Sequence, residues 1–192
     1  MHQSQMTNLV SLAHSKIKEV VHSGDLCIDA TAGNGQDTLI LAQSVAPSGK
    51  VYAIDIQKCA IMNTCERLKK HGLSNLLQAF HGSHSDIESF LSNDLKAMFT
   101  AAMFNLGYLP RGNQEIITQP QTTLSAIFKI FEYIKPGGLI SVLCYRGHEG
   151  GKKETQQVLN LCQKENWTSE VVEGNNAEHS PILILIRKTK TD

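Results

Sequence analysis

A glycine-containing turn between two apolar segments is the feature that most constrains this chain. Residues 26–28 predict a short buried strand, and residues 38–42 predict the start of a helix. Between them, Gly33 and Gly35 carry no Cβ atom that would keep a ligand away from the backbone. Backbone N–H groups at such a strand-to-helix turn approach nucleotide ligands closely. Thr38 stands where the dinucleotide fingerprint has its third glycine, so the turn is not a dinucleotide phosphate cradle.

The next strand ends in an acid at an informative distance from the turn. Residues 50–55 predict that strand, and Asp55 follows Gly35 by twenty residues. A carboxylate at the end of the second strand of a nucleotide-binding sheet can bind both hydroxyls of a ribose. The turn and the acid together predict a ligand that contains a ribose.

Predicted strands and helices alternate through the first 166 residues. The predicted helices are 8–21, 36–45, 58–71, a short one near 87–91, 121–134 and 153–166, and the predicted strands are 26–28, 50–55, 76–80, 98–104, 139–145, 167–173 and 182–188. The alternation favours a parallel doubly wound sheet, whereas the last two strands should pair antiparallel because only residues 174–181 separate them. We predict one α/β domain over residues 1–192, with residues 1–23 forming a helix that covers the cofactor side.

Composition excludes several classes of protein. Hydrophobic residues make up 41% and charged residues 19% of the 192 positions, which is typical of a globular protein in water. Eighteen basic residues balance eighteen acidic ones, so a strongly basic nucleic-acid binder is not indicated. No run of about 18 apolar residues predicts a membrane span, and the first residues lack the apolar core of a signal peptide.

Cysteine usage points to a reducing compartment. The five cysteines form no Cys-x-x-Cys pair and their number is odd, which argues against a disulfide framework and against a zinc site. We therefore expect a cytoplasmic protein without a bound metal. The sequence leaves open whether it works as a monomer or as a homodimer.

The Gly-x-Gly turn followed by Asp55 resembles the class I S-adenosylmethionine-dependent methyltransferases. Their first motif reads acid-x-Gly-x-Gly-x-Gly, and here it reads Asp29-Ala-Thr31-Ala-Gly33-Asn-Gly35. The alternative is a glycine-rich turn in an unrelated α/β domain. The resemblance implies a Rossmann-like seven-stranded sheet, mostly parallel with a terminal antiparallel hairpin and with helices on both faces. It also implies S-adenosylmethionine as the cofactor, with these contact residues: Thr31, Gly33, Asn34, Gly35, Asp37, Asp55, Gln57, Ser83 and His84.

Two loops of that fold have specific implied roles. The loop after the third strand lies beside the adenine in such enzymes, which implies base contacts for Ser83 and His84; the alternative is that both cap the short helix. Asn105-Leu106-Gly107-Tyr108 resembles the Asn/Asp-Pro-Pro-aromatic motif of amino-group methyltransferases but lacks both prolines. The resemblance implies that the Asn105 oxygen and the Leu106 carbonyl accept hydrogens of an amine while Tyr108 stacks on a base. The alternative for Asn105 is a turn residue that ends a strand.

Three motifs together narrow the resemblance. These are Asp-Ala-Thr-Ala-Gly-Asn-Gly-x-Asp-Thr, Asn-Leu-Gly-Tyr-Leu-Pro, and the Tyr-x-Gly-His-x-Gly-Gly-x-x-Glu stretch that starts at Tyr145. They resemble the small bacterial and plant-organelle family of YtqB-like rRNA methylases, which is associated with methylation of 5-aminomethyl-2-thiouridine in tRNA. In the third motif, Glu149 stands where the family often has a proline.

The family resemblance implies that the substrate is the wobble uridine of a tRNA anticodon loop and that the methyl acceptor is its exocyclic amine. The residues implied to act in catalysis are Asn105 and Tyr108, and those implied to bind substrate are Leu106, Gly107, Leu109, Tyr145, Arg146, His148 and Lys152. For His148, three roles stay open: ordering its loop, contacting the substrate, or accepting a proton after transfer. The alternative functions are methylation of rRNA or of a small molecule, and a noncatalytic module that binds the cofactor or RNA.

Overall fold

The computed structural model describes residues 2–109, 116–174 and 180–189, with side chains from residue 9 onward. The helices are α1 His2–Val20, α2 Gln36–Val45, α3 Lys58–Lys70, α4 Ile87–Phe90, α5 Pro120–Tyr133 and α6 Gly151–Lys164. The strands are β1 Leu26–Asp29, β2 Lys50–Asp55, β3 Leu77–His81, β4 Phe99–Leu106, β5 Ile134–Cys144, β6 Thr168–Glu173 and β7 Ile182–Arg187.

All seven strands belong to one sheet in the order β3-β2-β1-β4-β5-β7-β6. The first five pair in parallel, and β7 pairs antiparallel with both β5 and β6. The predicted fold class is therefore confirmed. The chain moves outward from β1 to β3 and then returns to β4, so strand order reverses between β1 and β4, where sheets of this kind bind their ligands.

Helices cover both faces of the sheet because the strands are apolar on both sides. On one face, α1, α2 and α3 pack through buried residues that include Ile17, Leu41 and Leu68. On the other face, α4, α5 and α6 pack through residues that include Ile127 and Val158. Strand β4 lies between the two layers, and its side chains alternate between the two cores, as a strand period of two requires.

Two predicted strand boundaries are wrong by two residues or more. Strand β4 was expected to end at residue 104, but Asn105 and Leu106 extend it because they pair with Leu143 and Cys144 of β5. Strand β5 begins at Ile134 and not at residue 139 as predicted, because Ile134 pairs with Phe99 before the register shifts. Asn105 is thus a strand residue, which excludes the turn alternative for it.

The other predicted elements differ from the observed ones mainly at their ends. Helix α1 extends to residue 2, whereas the sequence predicted a start near residue 8. Helix α6 begins at Gly151, two residues earlier than predicted, and the other ends shift by one or two residues. Residues 110–115 lie outside the described residues, as does most of the predicted connection between β6 and β7, residues 174–181.

Candidate active site

A cleft of about 1540 Å³ lies at the carboxyl ends of the strands, beside the point where strand order reverses. Single small-molecule pockets commonly hold about 300–1,000 Å³, so the cleft has room for a cofactor and part of a substrate. It brings together most of the residues singled out from the sequence: Thr31, Gly33, Asn34, Asp37, Asp55, Gln57, Ser83, His84, Asn105, Gly107, Tyr108, Leu109, Tyr145, Arg146 and His148. Gly35, Leu106 and Lys152 do not line it.

The glycine turn is tied to Asp55 and packed against α3. The Gly33 N–H donates to Asp55 Oδ2 at 2.9 Å, so the turn and the acid form one unit. Gly35 precedes the first residue of α2 with φ 75°, and a Cβ atom there would lie 2.8 Å from the Cα atom of Thr64. The sequence reasoning assigned Gly35 to the ligand, but its position in the structure serves helix packing and turn geometry.

Helix α3 contributes polar contacts that the sequence reasoning missed. Arg67 Nε donates to the Asn34 carbonyl at 2.6 Å, and Asn63 Nδ2 donates to Asn34 Oδ1 at 3.0 Å. Thr64 Oγ1 donates to the Gly33 carbonyl at 3.3 Å. These three residues lie in α3, the helix that follows Asp55. Their polar side chains on that helix were the sequence signal that could have identified them. These contacts hold the turn in place on the side of α3.

Asp55 already has a backbone partner on each carboxylate oxygen. Oδ2 accepts from Gly33, and Oδ1 accepts from the Gln57 N–H at 2.8 Å. A carboxylate has about four acceptor positions, so each oxygen can still accept a hydroxyl. Burial raises the pKa of Asp55 above its ordinary value, and the two N–H groups oppose that shift. This geometry matches the predicted ribose contact.

The loop after β3 shows helix capping together with a buried acceptor. Ser83 Oγ accepts from the Ser85 N–H at 3.2 Å, which is the capping alternative considered for it. The ring of His84 packs edge-on against Phe104 at 6.0 Å between centroids. Burial lowers the pKa of His84, and a ring nitrogen bonds the Ala30 backbone. Its Nε2 is buried without a partner among the described residues, which makes it an acceptor available at the cleft wall.

Asn105 is held at two points. Its backbone N–H donates to Thr31 Oγ1 at 2.7 Å, so the threonine that replaces the first motif glycine positions the end of β4. Its side-chain Nδ2 donates to Asp37 Oδ2 at 2.6 Å. Because a carboxylate only accepts, this contact fixes which way the amide faces. Among the described residues, no donor reaches Asn105 Oδ1, on a side chain that lines the cleft.

Asp37 links three elements around Asn105. Its second oxygen accepts from His14 Nε2 of α1 at 2.7 Å. The negative charge of Asp37 adds to burial in raising the pKa of Tyr145, to about 12, and in raising the pKa of buried Asp29. Asp29 also accepts from Thr38 Oγ1 at 2.5 Å. The sequence analysis did not predict a role for His14. Its position next to the buried apolar residues of α1 was the sequence feature that could have indicated one.

Tyr108 lies at the rim of the cleft. It pairs with Ile117 in an antiparallel bridge, and the Thr118 N–H donates to the Gly107 carbonyl at 3.0 Å. The side chain of Tyr108 is 46% exposed, and its ring meets His148 edge-on at 6.4 Å between centroids. One ring face can therefore receive a planar base. Pro110, the end of this motif, lies outside the described residues.

The Leu106 carbonyl, which was predicted to bind the substrate amine, takes part in strand pairing. Leu106 is buried in β4, and its carbonyl accepts the Tyr145 N–H at 3.1 Å. The bond belongs to the pairing between β4 and β5. Since a carbonyl has two lone pairs, one acceptor position is left, but the residue itself does not line the cleft.

The loop that follows β5 is held by internal contacts. Arg146 Nε donates to the Ser180 carbonyl at 2.6 Å, and His148 Nδ1 donates to the Glu149 carbonyl at 2.9 Å. The opposite nitrogen of His148, Nε2, is buried without a partner among the described residues. Lys152 lies outside the main cleft, in an adjoining hollow of about 420 Å³ that Arg146 and His148 also line.

Glu154, the last residue of the third motif, fastens the rim to the helices. It is buried at the first turn of α6 and accepts from Thr118 Oγ1 at 2.8 Å and from Thr123 Oγ1 at 2.6 Å. The sequence reasoning assigned no role to it. An acid within the motif was the signal that could have found it.

Two kinds of site are absent from the described residues, a metal centre and a membrane-spanning helix. Within them, no three His, Cys, Asp or Glu side chains are arranged to hold a metal ion. No helix in those ranges has the length and apolarity to cross a membrane.

Comparisons with known proteins agree with this geometry. The family model described as "Putative rRNA methylase" matches residues 51–187. An Arabidopsis thaliana protein named tRNA (mnm(5)s(2)U34)-methyltransferase, chloroplastic, is 42% identical over 77% of this chain, and the chain spans 56% of its length.

Two solved structures are similar over nearly their whole length. A Clostridium thermocellum protein described as a "putative rRNA-methylase" has 35% identity and a TM-score of 0.86, and the match covers 93% of this chain and 96% of that protein. A Streptococcus mutans methyltransferase in complex with SAH has 34% identity and a TM-score of 0.81, covering 93% and 97%. From the family match, we conclude that this chain belongs to the rRNA methylase family.

Proposed function

We propose that this protein uses S-adenosylmethionine to methylate the exocyclic amine of 5-aminomethyl-(2-thio)uridine at the wobble position of tRNA. The observation that carries the proposal is the oriented amide of Asn105, whose oxygen is left to a ligand in the cleft that Asp55 also lines. The name of the Arabidopsis thaliana relative supports the substrate, and the SAH complex of the Streptococcus mutans relative supports the cofactor.

The cleft fits the proposed cofactor part by part. Gly33 and Asn34 line the cleft where the methionine moiety would lie, and glycine at position 33 keeps that space free, since an added Cβ there would lie 3.3 Å from Leu109. Asp55 offers acceptors to the ribose hydroxyls. The unpartnered Nε2 of His84 offers an acceptor to the exocyclic amino group of adenine, and Ser83 lies next to it in the cleft.

The bound cofactor would supply a methyl group made electrophilic by a sulfonium. An alkylamine attacks such a carbon only as the neutral base, because the protonated form has no lone pair. Partial burial and a nearby positive charge both favour the neutral form. The nitrogen lone pair forms the new N–C bond as the C–S bond breaks, the electron pair of that bond stays on sulfur, and the product ammonium then releases one proton.

In this scheme, the residues of the chain mainly orient the amine and exclude water. Asn105 Oδ1 accepts an amine N–H and so directs the lone pair at the methyl group. Tyr108 stacks on the uracil ring at the rim, where stacking contributes about 1–3 kcal/mol per base. The ring of His148, close to Tyr108, would offer a further contact to the nucleoside.

The anticodon loop would lie across the rim. Arg146, His148 and Lys152 surround the hollow beside the cleft and would face phosphates there. A chain with zero formal net charge suits a short loop better than an extended duplex. A homodimer would add a second such rim, and a sedimentation experiment on the free protein measures whether one forms.

Two further expectations stay part of the proposal. Residues 1–192 act as one domain whose first helix covers the cofactor side; the contacts of α1 with α2, β4 and β5 support this. The compartment is the cytoplasm, where the exposed thiols of Cys59 and Cys65 would stay reduced. The word chloroplastic belongs to the name of the plant relative alone.

The test uses purified protein, methyl-labelled cofactor and tRNA from a strain that lacks the gene. We expect the label in one nucleoside, on the amine of the 5-aminomethyl group, when digested tRNA is read by mass spectrometry. Label in rRNA with none in tRNA would support the older family description instead. Cofactor binding without transfer to any RNA would support a noncatalytic module or an enzyme for a small molecule.

A further inference from the structure

The first helix reaches the proposed methyl-acceptor residue through a chain of two hydrogen bonds. His14 Nε2 contacts Asp37 Oδ1 at 2.7 Å, and Asp37 Oδ2 accepts from Asn105 Nδ2 at 2.6 Å. From the geometry we infer that Asp37 and His14 are positioning residues, which hold the Asn105 amide with its oxygen toward the reacting amine. The inference rests on the proposed function and extends the site to the N-terminal helix.

The first step concerns the orientation of the amide. An asparagine side chain offers an oxygen and an NH2 group of almost equal size, and either could face the cleft. An NH2 group facing the amine would donate to the nitrogen lone pair and so occupy the electrons that have to attack the methyl group. Asp37 removes this ambiguity, since its carboxylate accepts and cannot donate. A hydrogen bond to a charged acceptor is also stronger than a bond between neutral groups.

The second step concerns the carboxylate itself. Asp37 lies in the first turn of α2, so the rigid start of that helix sets the position of its carboxylate. Only 9% of its side chain is exposed, and His14 donates to the oxygen that Asn105 does not use. The two partners lie on different elements, so they fix the plane of the carboxylate from two sides.

The third step concerns what anchors His14. Helix α1 buries Leu9, Ala13 and Ile17, about one residue per turn, against the sheet and α2, and Val21 just after its end is buried as well. His14 follows the buried Ala13 and is 19% exposed on its side chain, so the imidazole lies at the edge of this apolar contact. The packing of α1 thus places a donor beside Asp37 with little freedom to leave.

A direct cofactor contact is the competing interpretation of Asp37, because Asp37 also lines the cleft. The two interpretations differ in what they predict for binding. A cofactor ligand would raise the cofactor dissociation constant when it is removed. A positioning residue would lower kcat and leave that constant nearly unchanged, and its effect would vanish once Asn105 is absent.

The experiment is a double-mutant cycle on kcat, together with cofactor affinity from calorimetry. We expect Asp37→Ala to lower kcat by about tenfold to a hundredfold, with cofactor affinity within about twofold. In an Asn105→Ala background, the same change should alter kcat by less than about twofold. Asp37→Asn, which keeps an acceptor oxygen, should recover part of the loss. Effects that multiply in the double variant, or cofactor affinity that falls as much as kcat, would overturn the inference.

His14 is tested with a matched control on the same helix. We expect His14→Ala to lower kcat about threefold to tenfold and His14→Gln, which keeps a donor, to lose less. Lys18→Ala removes an exposed side chain from α1 and should leave kcat unchanged. Equal losses in His14→Ala and Lys18→Ala would point to a general effect on the helix and would contradict the positioning role.

A second measurement does not depend on turnover. The side-chain NH2 resonances of Asn105 in an ¹⁵N spectrum should be protected from exchange in the wild type and lose that protection in Asp37→Ala. Unchanged protection would overturn the inference even if a variant were too unstable for kinetics. A wild type that shows this protection but transfers no methyl group would instead contradict the proposed function and leave the hydrogen-bond chain standing.

Discussion

Replacing Asn105 by alanine tests the proposed chemistry at its centre. The side chain contributes one free acceptor, Oδ1, and one bond from Nδ2 to Asp37. Alanine removes both, while the backbone bond from residue 105 to Thr31 Oγ1 stays available. Asp37 keeps its contact with His14, so no carboxylate is left without a partner. The end of β4 should therefore stay in place, and the loss should fall on the reacting amine.

The magnitude follows from that single contact. An oriented acceptor that acts on the reacting group contributes about 1.4–4 kcal/mol to the barrier, so we expect the rate of methyl transfer to fall about tenfold to a thousandfold. The assay is single-turnover transfer with cofactor and tRNA both saturating, because this isolates the chemical step from binding. Cofactor affinity should change by less than about twofold, since Asn105 is assigned to the amine.

A matched control makes the same chemical change elsewhere. Asn160→Ala removes an exposed asparagine of α6 whose Oδ1 accepts from Gln156 at 3.0 Å. It should leave transfer unchanged and alter the free energy of unfolding by no more than about 0.5 kcal/mol. A near-wild-type transfer rate in folded Asn105→Ala would refute the placement of the amine at this residue.

Three predictions concern stability and reactivity. Gly35→Ala should destabilise the fold more than Gly72→Ala, by about 1 kcal/mol or more in urea unfolding. Both glycines have positive φ, but only a side chain at Gly35 would clash with α3. Equal losses of stability in the two variants would contradict the close approach of Gly35 to α3. Burial raises the pKa of Asp29, so the folded state holds a proton that the unfolded state releases near pH 4. The free energy of unfolding should therefore fall as the pH rises above about 4. Asp29→Asn should flatten this slope by up to about 1.4 kcal/mol per pH unit. Only the exposed thiols of Cys59 and Cys65 should react with a thiol reagent in the native protein, and all five after unfolding.

Much of the fold follows from local patterns in the sequence. The alternation of apolar strands with amphipathic helices predicted the parallel sheet, and the short connection before the last strand predicted the antiparallel pair. Local sequence patterns predicted strand ends least well where pairing with a neighbouring strand decides the last residue. Asn105 looks like a turn residue by type, yet it is a strand residue because β5 offers it a partner.

The sequence by itself determined the chemical inventory of the site. The glycine turn, Asp55, Asn105 and Tyr108 could all be assigned to one edge of the sheet, because parallel strands end there. The tertiary structure alone decided how these groups are oriented. The bond from His14 to Asp37 spans 23 residues, and that from Asp37 to Asn105 spans 68, so no local spacing encodes them. They exist because the packing of α1 and α2 against one face of the sheet places a donor, a carboxylate and an amide within hydrogen-bond distance.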